Sequence, residues 1–192
     1  MKDPSLLDRR PVLVAVAGPN GAGKSTFYHA HLGPAGLRLV DADVLARELD
    51  IDAYAAARLA DALRRTLVLR KESFVLETVF SDPSGEKLAF LKDAASSGYT
   101  VVLCFIGLAS PSLSEARVAM RVSQGGHDVP REKLKARFPR TLANLQAAIR
   151  QLPHVLVYDN SDLNHPYRQV AEFDHGRCIA RCRVPRWLQR LL

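Results

Sequence analysis

The apolar pattern of the chain opens at Val12-Leu13-Val14-Ala15-Val16-Ala17, an unbroken run that stops at Gly18. A short Val-rich run ended by glycine marks a parallel strand buried on both faces. Residues 24–32 predict the helix that follows, and 37–40 a second strand ending at Asp41-Ala42-Asp43. Over 53–71, Ala56, Leu59, Ala60, Leu63, Leu67 and Leu69 recur at mostly helical spacing with arginines between them. A third strand is expected over 73–78, a helix over 84–96 that stops near Gly98, and a strongly buried fourth strand over 99–106.

A helix over about 112–123 and a glycine-containing loop, 124–130, come next. The helix after it reaches 152 and keeps Leu134, Phe138, Leu142, Leu145, Ile149 and Leu152 on one face. Pro139 lies inside it, where a missing N–H and a ring clash predict a kink or a break. Residues 155–158 read as a fifth strand, and 168–173 with 177–184 as a final extended pair around Asp174-His175-Gly176. The tail from Trp187 to Leu192 is a short amphipathic end expected to cover the core. Strands alternating with helices imply an α/β fold of three layers, with a mainly parallel sheet covered on both faces. No repeat, low-complexity stretch or linker interrupts it, so one domain over 1–192 is expected.

Chemistry enters at the end of the first strand. Gly18-Pro19-Asn20-Gly21-Ala22-Gly23-Lys24-Ser25, followed by Thr26, satisfies G-x-x-x-x-G-K-[ST] in the strand–loop–helix setting that its mechanism needs. Glycines let backbone N–H groups turn inward around phosphates, and the helix N-terminus adds its dipole. Lys24 would reach the β and γ phosphates, and the Ser25 hydroxyl would take Mg²⁺. ATP and Mg²⁺ are therefore the expected cofactors.

An acid after the second strand suits a kinase better than a motor ATPase. Asp43 stands where an acceptor hydroxyl would approach the γ-phosphate and could accept its proton; otherwise it is a helix N-cap. Asp41 would point the other way if the strand persists. Glu77 ends an apolar strand and could hold a metal-bound water or the acceptor, or simply face solvent. Arg117 and Arg121 share one helix face, and Arg137 and Arg140 lie three apart on the next helix. The loop between these helices would let the hairpin close as a lid, bringing arginines onto the transferring phosphoryl group. His127 in that loop could touch substrate, and Asn160-Ser161 after the fifth strand could border the adenine.

Composition narrows the partners. The net charge of +7 comes mostly from arginine. It fits a polyanionic small molecule as well as nucleic acid, but aromatic content is modest and no stacking strand is visible. A nucleic-acid-directed kinase or binder is the alternative reading. No stretch approaches the ~20 apolar residues of a membrane span, and the charged N-terminus is unlike a secretory signal, so a cytoplasmic protein is expected. Cys178 and Cys182, four apart on one strand, would be roughly 13 Å apart, too far for a disulfide; Cys104 reads as a small core residue.

Gly18 to Thr26, Asp41-Ala42-Asp43, Glu77-Thr78, the stretch from Arg117 to Pro130, Arg137-Phe138-Pro139-Arg140 and Tyr158-Asp159-Asn160-Ser161 together resemble the zeta toxin family, in its compact branch. The resemblance covers about residues 11–161. It implies a P-loop kinase fold and phosphorylation of UDP-N-acetylglucosamine on the sugar 3′-hydroxyl with ATP and Mg²⁺. An antitoxin protein is the implied partner. On that resemblance Lys24 is the phosphate-loop lysine, Ser25 the metal-side hydroxyl and Asp43 the catalytic base. Glu77, Thr78 and Arg140 lie toward the substrate. Arg121 and Arg137 are the phosphate-neutralising arginines, with Arg140 an alternative to them.

Overall fold

The computed structural model describes residues 5–125 and 129–192. His127 and the neighbouring residues of the 124–130 loop therefore lie outside the described residues. The chain runs α1 (Ser5–Asp8), β1 (Val12–Ala17), α2 (Lys24–Phe27), β2 (Arg38–Val40), α3 (Ala42–Leu49), α4 (Ala53–Leu69), β3 (Phe74–Thr78) and α5 (Glu86–Ser96). It continues with β4 (Thr100–Gly107), α6 (Pro111–Ser123), α7 (Arg131–Gln151), β5 (His154–Asp159), β6 (Arg168–Asp174), β7 (Arg177–Arg181) and α8 (Arg186–Gln189).

One sheet of seven strands, ordered β2-β3-β1-β4-β5-β6-β7, organises these elements. The first five strands are parallel, and β6 and β7 extend the edge antiparallel. Central β1 is buried at all its positions, as its unbroken apolar run requires. Two apolar clusters cover the faces. Leu13, Ala15, Leu76, Leu103 and Val157 point into one cluster, with α4, α5, α7 and α8. Val14, Val16, Val75, Cys104 and Leu156 point into the other, with Phe27 and Leu32. Trp187 and Leu188 of α8 are buried in the first, so the tail does cover the core.

Three local expectations change. The helix after the phosphate loop leaves α geometry at Tyr28 and continues as a π turn over Tyr28–Leu32. The second strand stops at Val40, and a separate helix, α3, starts at once. Its N-cap is Asp41, whose side chain accepts from the Val44 N–H at 2.9 Å, so Asp43 is not the cap but lies in the first turn. Finally, α7 passes through Pro139 without a break. Leu134, Phe138, Thr141 and Leu145 are all buried along that helix, and Thr141 Oγ1 donates to both Arg137 O and Val79 O at 3.0 Å. Burial on both sides of the proline holds the helix together despite the lost donor.

Candidate active site

The phosphate loop is shaped by close approach. Gly18 has φ 147°, and a Cβ there would lie 2.1 Å from the Ile106 carbonyl oxygen of β4. Gly23 has φ 85° and leaves room for the Tyr167 hydroxyl, which would meet a Cβ at 2.7 Å. The loop is braced from behind: Asn160 Nδ2 donates to Ala22 O at 2.9 Å, and Tyr167 OH donates to Gly23 O at 3.0 Å. Ser114 Oγ of α6 donates to Asn20 O at 2.6 Å. Carbonyls are thus held outward, the arrangement that leaves N–H groups free to face an anion. Asn160, 4% exposed, serves this bracing, whereas Ser161 offers its carbonyl to Arg117 Nη2 at 3.3 Å and bonds Asp159.

Above the carboxyl ends of β1, β2 and β3 lies a cavity of about 660 Å³, the place where ligands bind in open α/β sheets. Asn20, Gly21 and Lys24 form its phosphate-loop wall, and Asp41, Asp43, Glu77 and Thr78 line it from the ends of β2 and β3. Arg121, Arg137 and Arg140 line it from the helical hairpin. The fold therefore gathers Asp43 and three of the four candidate arginines. The remaining one, Arg117, is aimed at Ser161 instead. Pro19, Ala22, Gly23, Ser25 and Thr26 complete the loop without lining the cavity.

Glu77 does not face solvent. Its side chain is 13% exposed, Oε2 accepts from Ser25 Oγ at 2.9 Å, and Oε1 stands 3.7 Å from Lys24 Nζ. Burial pushes the Glu77 carboxyl above its ordinary range, with the Lys24 charge opposing and Asp41 and Asp43 adding to the rise. Burial likewise lowers Lys24, against the pull of Glu77, Asp41 and Asp43. A hydroxyl and a carboxylate oxygen side by side fit Mg²⁺, which keeps several waters and takes only one or two protein oxygens beside phosphate. Among the described residues no cluster of three or more His, Cys, Asp or Glu could hold a metal by itself.

One site residue escaped the sequence reading. Arg64 of α4 is 5% exposed, yet its Nη2 reaches Val40 O at 3.2 Å and Glu77 O at 3.4 Å. Nη1 meets Asp61 Oδ1 at 2.9 Å, and the same oxygen accepts from Lys87 Nζ at 2.7 Å. In sequence Arg64 is one arginine among several on an amphipathic helix; only the long-range contacts set it apart.

The phosphate loop at the head of α2, the parallel order β2-β3-β1-β4-β5 and the arginine-bearing hairpin define a P-loop kinase fold. The zeta toxin family model matches residues 50–172, and the chain belongs to that family. The matched span begins after the phosphate loop, so motif and family match are independent observations. An uncharacterized protein of Haemophilus influenzae is 29% identical over 129 residues, 63% of this chain and 88% of that one. A chain of the AvrRxo1-ORF1:-ORF2 complex with ATP superposes with TM-score 0.70 at 19% identity, over 91% of this chain and 62% of that one. The PezAT chromosomal toxin-antitoxin system of Streptococcus pneumoniae gives TM-score 0.58 at 14% identity, over 90% of this chain and 82% of the other. The protein thus spans less than two thirds of the AvrRxo1 chain that it resembles. Among the described residues no helix is long and apolar enough to cross a membrane.

Proposed function

We propose that the protein is an ATP-dependent kinase that moves the γ-phosphoryl group to a hydroxyl of a small acceptor, a nucleotide sugar such as UDP-N-acetylglucosamine. The observation that carries this reading is the cavity itself. The phosphate loop with Lys24, the Asp43 carboxylate and the arginines Arg121, Arg137 and Arg140 all line it. Membership of the zeta toxin family and the ATP complex of the AvrRxo1 pair support it.

In this reading the loop amides and Lys24 grip the triphosphate, and Ser25 with Glu77 would hold Mg²⁺, which supplies charge neutralisation on the phosphates. Asp43 accepts the proton of the acceptor hydroxyl. That oxygen forms a bond to the γ-phosphorus while the bond from phosphorus to the bridging oxygen breaks, and ADP leaves with those electrons. Charge spreads over the γ-oxygens during transfer, and arginines brought in by the hairpin stabilise it. The likeness to the PezAT toxin–antitoxin system supports an antitoxin as protein partner.

The test is mass spectrometry of a metabolite extract and a panel of UDP-sugars after incubation with protein and Mg-ATP. A product heavier than its acceptor by one phosphoryl group, lost in Asp43→Ala, is expected. No such product from any acceptor, with ATP consumption unchanged in Asp43→Ala, sinks the reading.

A further inference from the structure

Two acidic strand ends face each other across the cavity floor, and backbone pairing does not continue to them. The last β2–β3 partners are Val40 and Leu76. Beyond that point the chain turns into α3 on one side and runs on through Glu77 on the other. Arg64 occupies this gap: one terminal nitrogen donates to Val40 O, the carbonyl just before Asp41, and also to Glu77 O. The other nitrogen is anchored by Asp61 on its own helix, one turn back.

The arrangement is costly to the fold. A guanidinium that is 5% exposed has surrendered most of its hydration, and its Nε has no acceptor among the described residues. Its one carboxylate partner in an ion pair among the described residues, Asp61, is 45% exposed and shared with Lys87. An apolar side chain at this point of α4 would extend the surrounding core with no orphaned donor. A buried, under-satisfied arginine at the seam between two functional acids is better explained by geometry than by stability.

We infer that Arg64 is a positioning residue: by tying the carbonyls of Val40 and Glu77 to one planar group, it sets the separation between the Asp41–Asp43 turn and the Glu77 carboxylate. It touches neither nucleotide nor acceptor in this role. Two effects follow on two different ligands. Through Glu77 it aligns the Ser25–Glu77 oxygen pair, and so the magnesium dependence of nucleotide binding. Through the β2 end it aligns Asp43, and so phosphoryl transfer. The second effect rests on the kinase reading; the first needs only nucleotide binding.

The experiment compares wild type with Arg64→Lys and Asp61→Asn in three readouts: thermal stability, affinity for a fluorescent ATP analogue with and without Mg²⁺, and turnover on the acceptor. Lysine keeps the charge but has a single nitrogen, so it cannot hold both carbonyls and Asp61 through one rigid plane. Affinity without Mg²⁺ should stay within about threefold, while the tightening brought by Mg²⁺ falls about tenfold and kcat falls about 10–100-fold, as a misplacement near 1 Å predicts. Asp61→Asn, which leaves the guanidinium in place but loosens its anchor, should show the same pattern more weakly. A purely structural arginine would lower thermal stability and leave both the magnesium ratio and the kcat of the folded protein at wild-type values; that result overturns the inference. If Arg64→Lys fails to fold, Asp61→Asn decides by the same magnesium ratio. If wild type phosphorylates no acceptor, the kinase reading fails, and the ratio still decides for or against Arg64.

Discussion

Ser25 Oγ donates a 2.9 Å hydrogen bond to Glu77 Oε2, which brings the hydroxyl from the end of the phosphate loop against the carboxylate from β3. Lys24 Nζ completes the group, 3.7 Å from Glu77 Oε1 and 3.3 Å from Pro19 O. Both ionic side chains are largely withdrawn from water, and burial pushes each toward its neutral form. The site therefore holds a largely desolvated ion pair, which by itself contributes little to folding.

That arrangement predicts a non-additive stability cycle. Lys24→Met removes the counter-charge and strands a buried carboxylate, a change that costs about 3 kcal/mol in comparable pairs. The double variant Lys24→Met/Glu77→Gln removes the charge that was stranded and should recover that loss, ending at or above wild type. Denaturant unfolding at pH 8 measures all four corners. A double variant less stable than Lys24→Met alone would contradict the ion-pair account.

The same pair gives stability a pH dependence with a definite sign. The folded pKa of Glu77 is raised above its ordinary 4.5, chiefly by burial. A raised group contributes stability that is fully present below the unfolded value and is lost as pH rises through the folded one. Groups facing the carboxylate are Lys24 and Ser25 from α2 and Asp41 and Asp43 from the turn after β2. Wild type should accordingly gain stability relative to Glu77→Gln as pH falls from 7 toward 4.5. Melting temperatures of the two proteins across that range check this, and a wild type that loses ground to Glu77→Gln as pH falls would refute the sign.

Asp41 and Asp43 sit two residues apart and should fail in different ways. Asp41 caps α3 through the Val44 N–H, so Asp41→Ala is expected to lower stability by about 1 kcal/mol. Asp43 makes no such bond and lines the cavity. Asp43→Asn should leave melting and ATP affinity close to wild type while turnover drops by about 100-fold or more, the scale of a lost general base. Loss of ATP affinity in Asp43→Asn would place that carboxylate on the nucleotide instead.

What could be read in advance follows the range of the interactions. The phosphate loop, the buried strand Val12–Ala17 and the arginines of α6 and α7 are written in local runs and short spacings, and the structure brings Lys24, Glu77, Asp43, Arg121, Arg137 and Arg140 to one cavity. The second strand ends at Val40 as expected, but helix α3 was missed, because Ala42–Leu49 is short and only the Asp41 cap shows that a helix begins there. Arg64, and the bracing role of Asn160, were hidden for another reason. Their partners lie 24 and 138 positions away, and no periodicity reports a contact across such distances. Pro139 misled in the opposite direction, since burial along α7 outweighs a local breaking tendency.

Asn160 offers the sharpest test of how much the loop depends on its support. Nδ2 holds the Ala22 carbonyl at 2.9 Å, while Oδ1 accepts from the Tyr167 N–H at 3.2 Å. Tyr167 in turn donates its hydroxyl to Gly23 O and packs its ring edge-on against Phe27, with centroids 5.4 Å apart. Asn160→Ala cuts the brace at its centre and leaves a buried carbonyl and a buried N–H unpaired, a loss of about 1–3 kcal/mol. Tyr167→Phe removes one hydroxyl and keeps the ring contact, so it should cost about 1 kcal/mol. Neither side chain lines the cavity, yet both should weaken ATP binding in proportion to the loop order that they remove, with Asn160→Ala the more severe. Calorimetric titration with ATP, set beside unfolding free energies, checks the ranking; equal affinities in all three proteins would mean that the loop keeps its shape unaided.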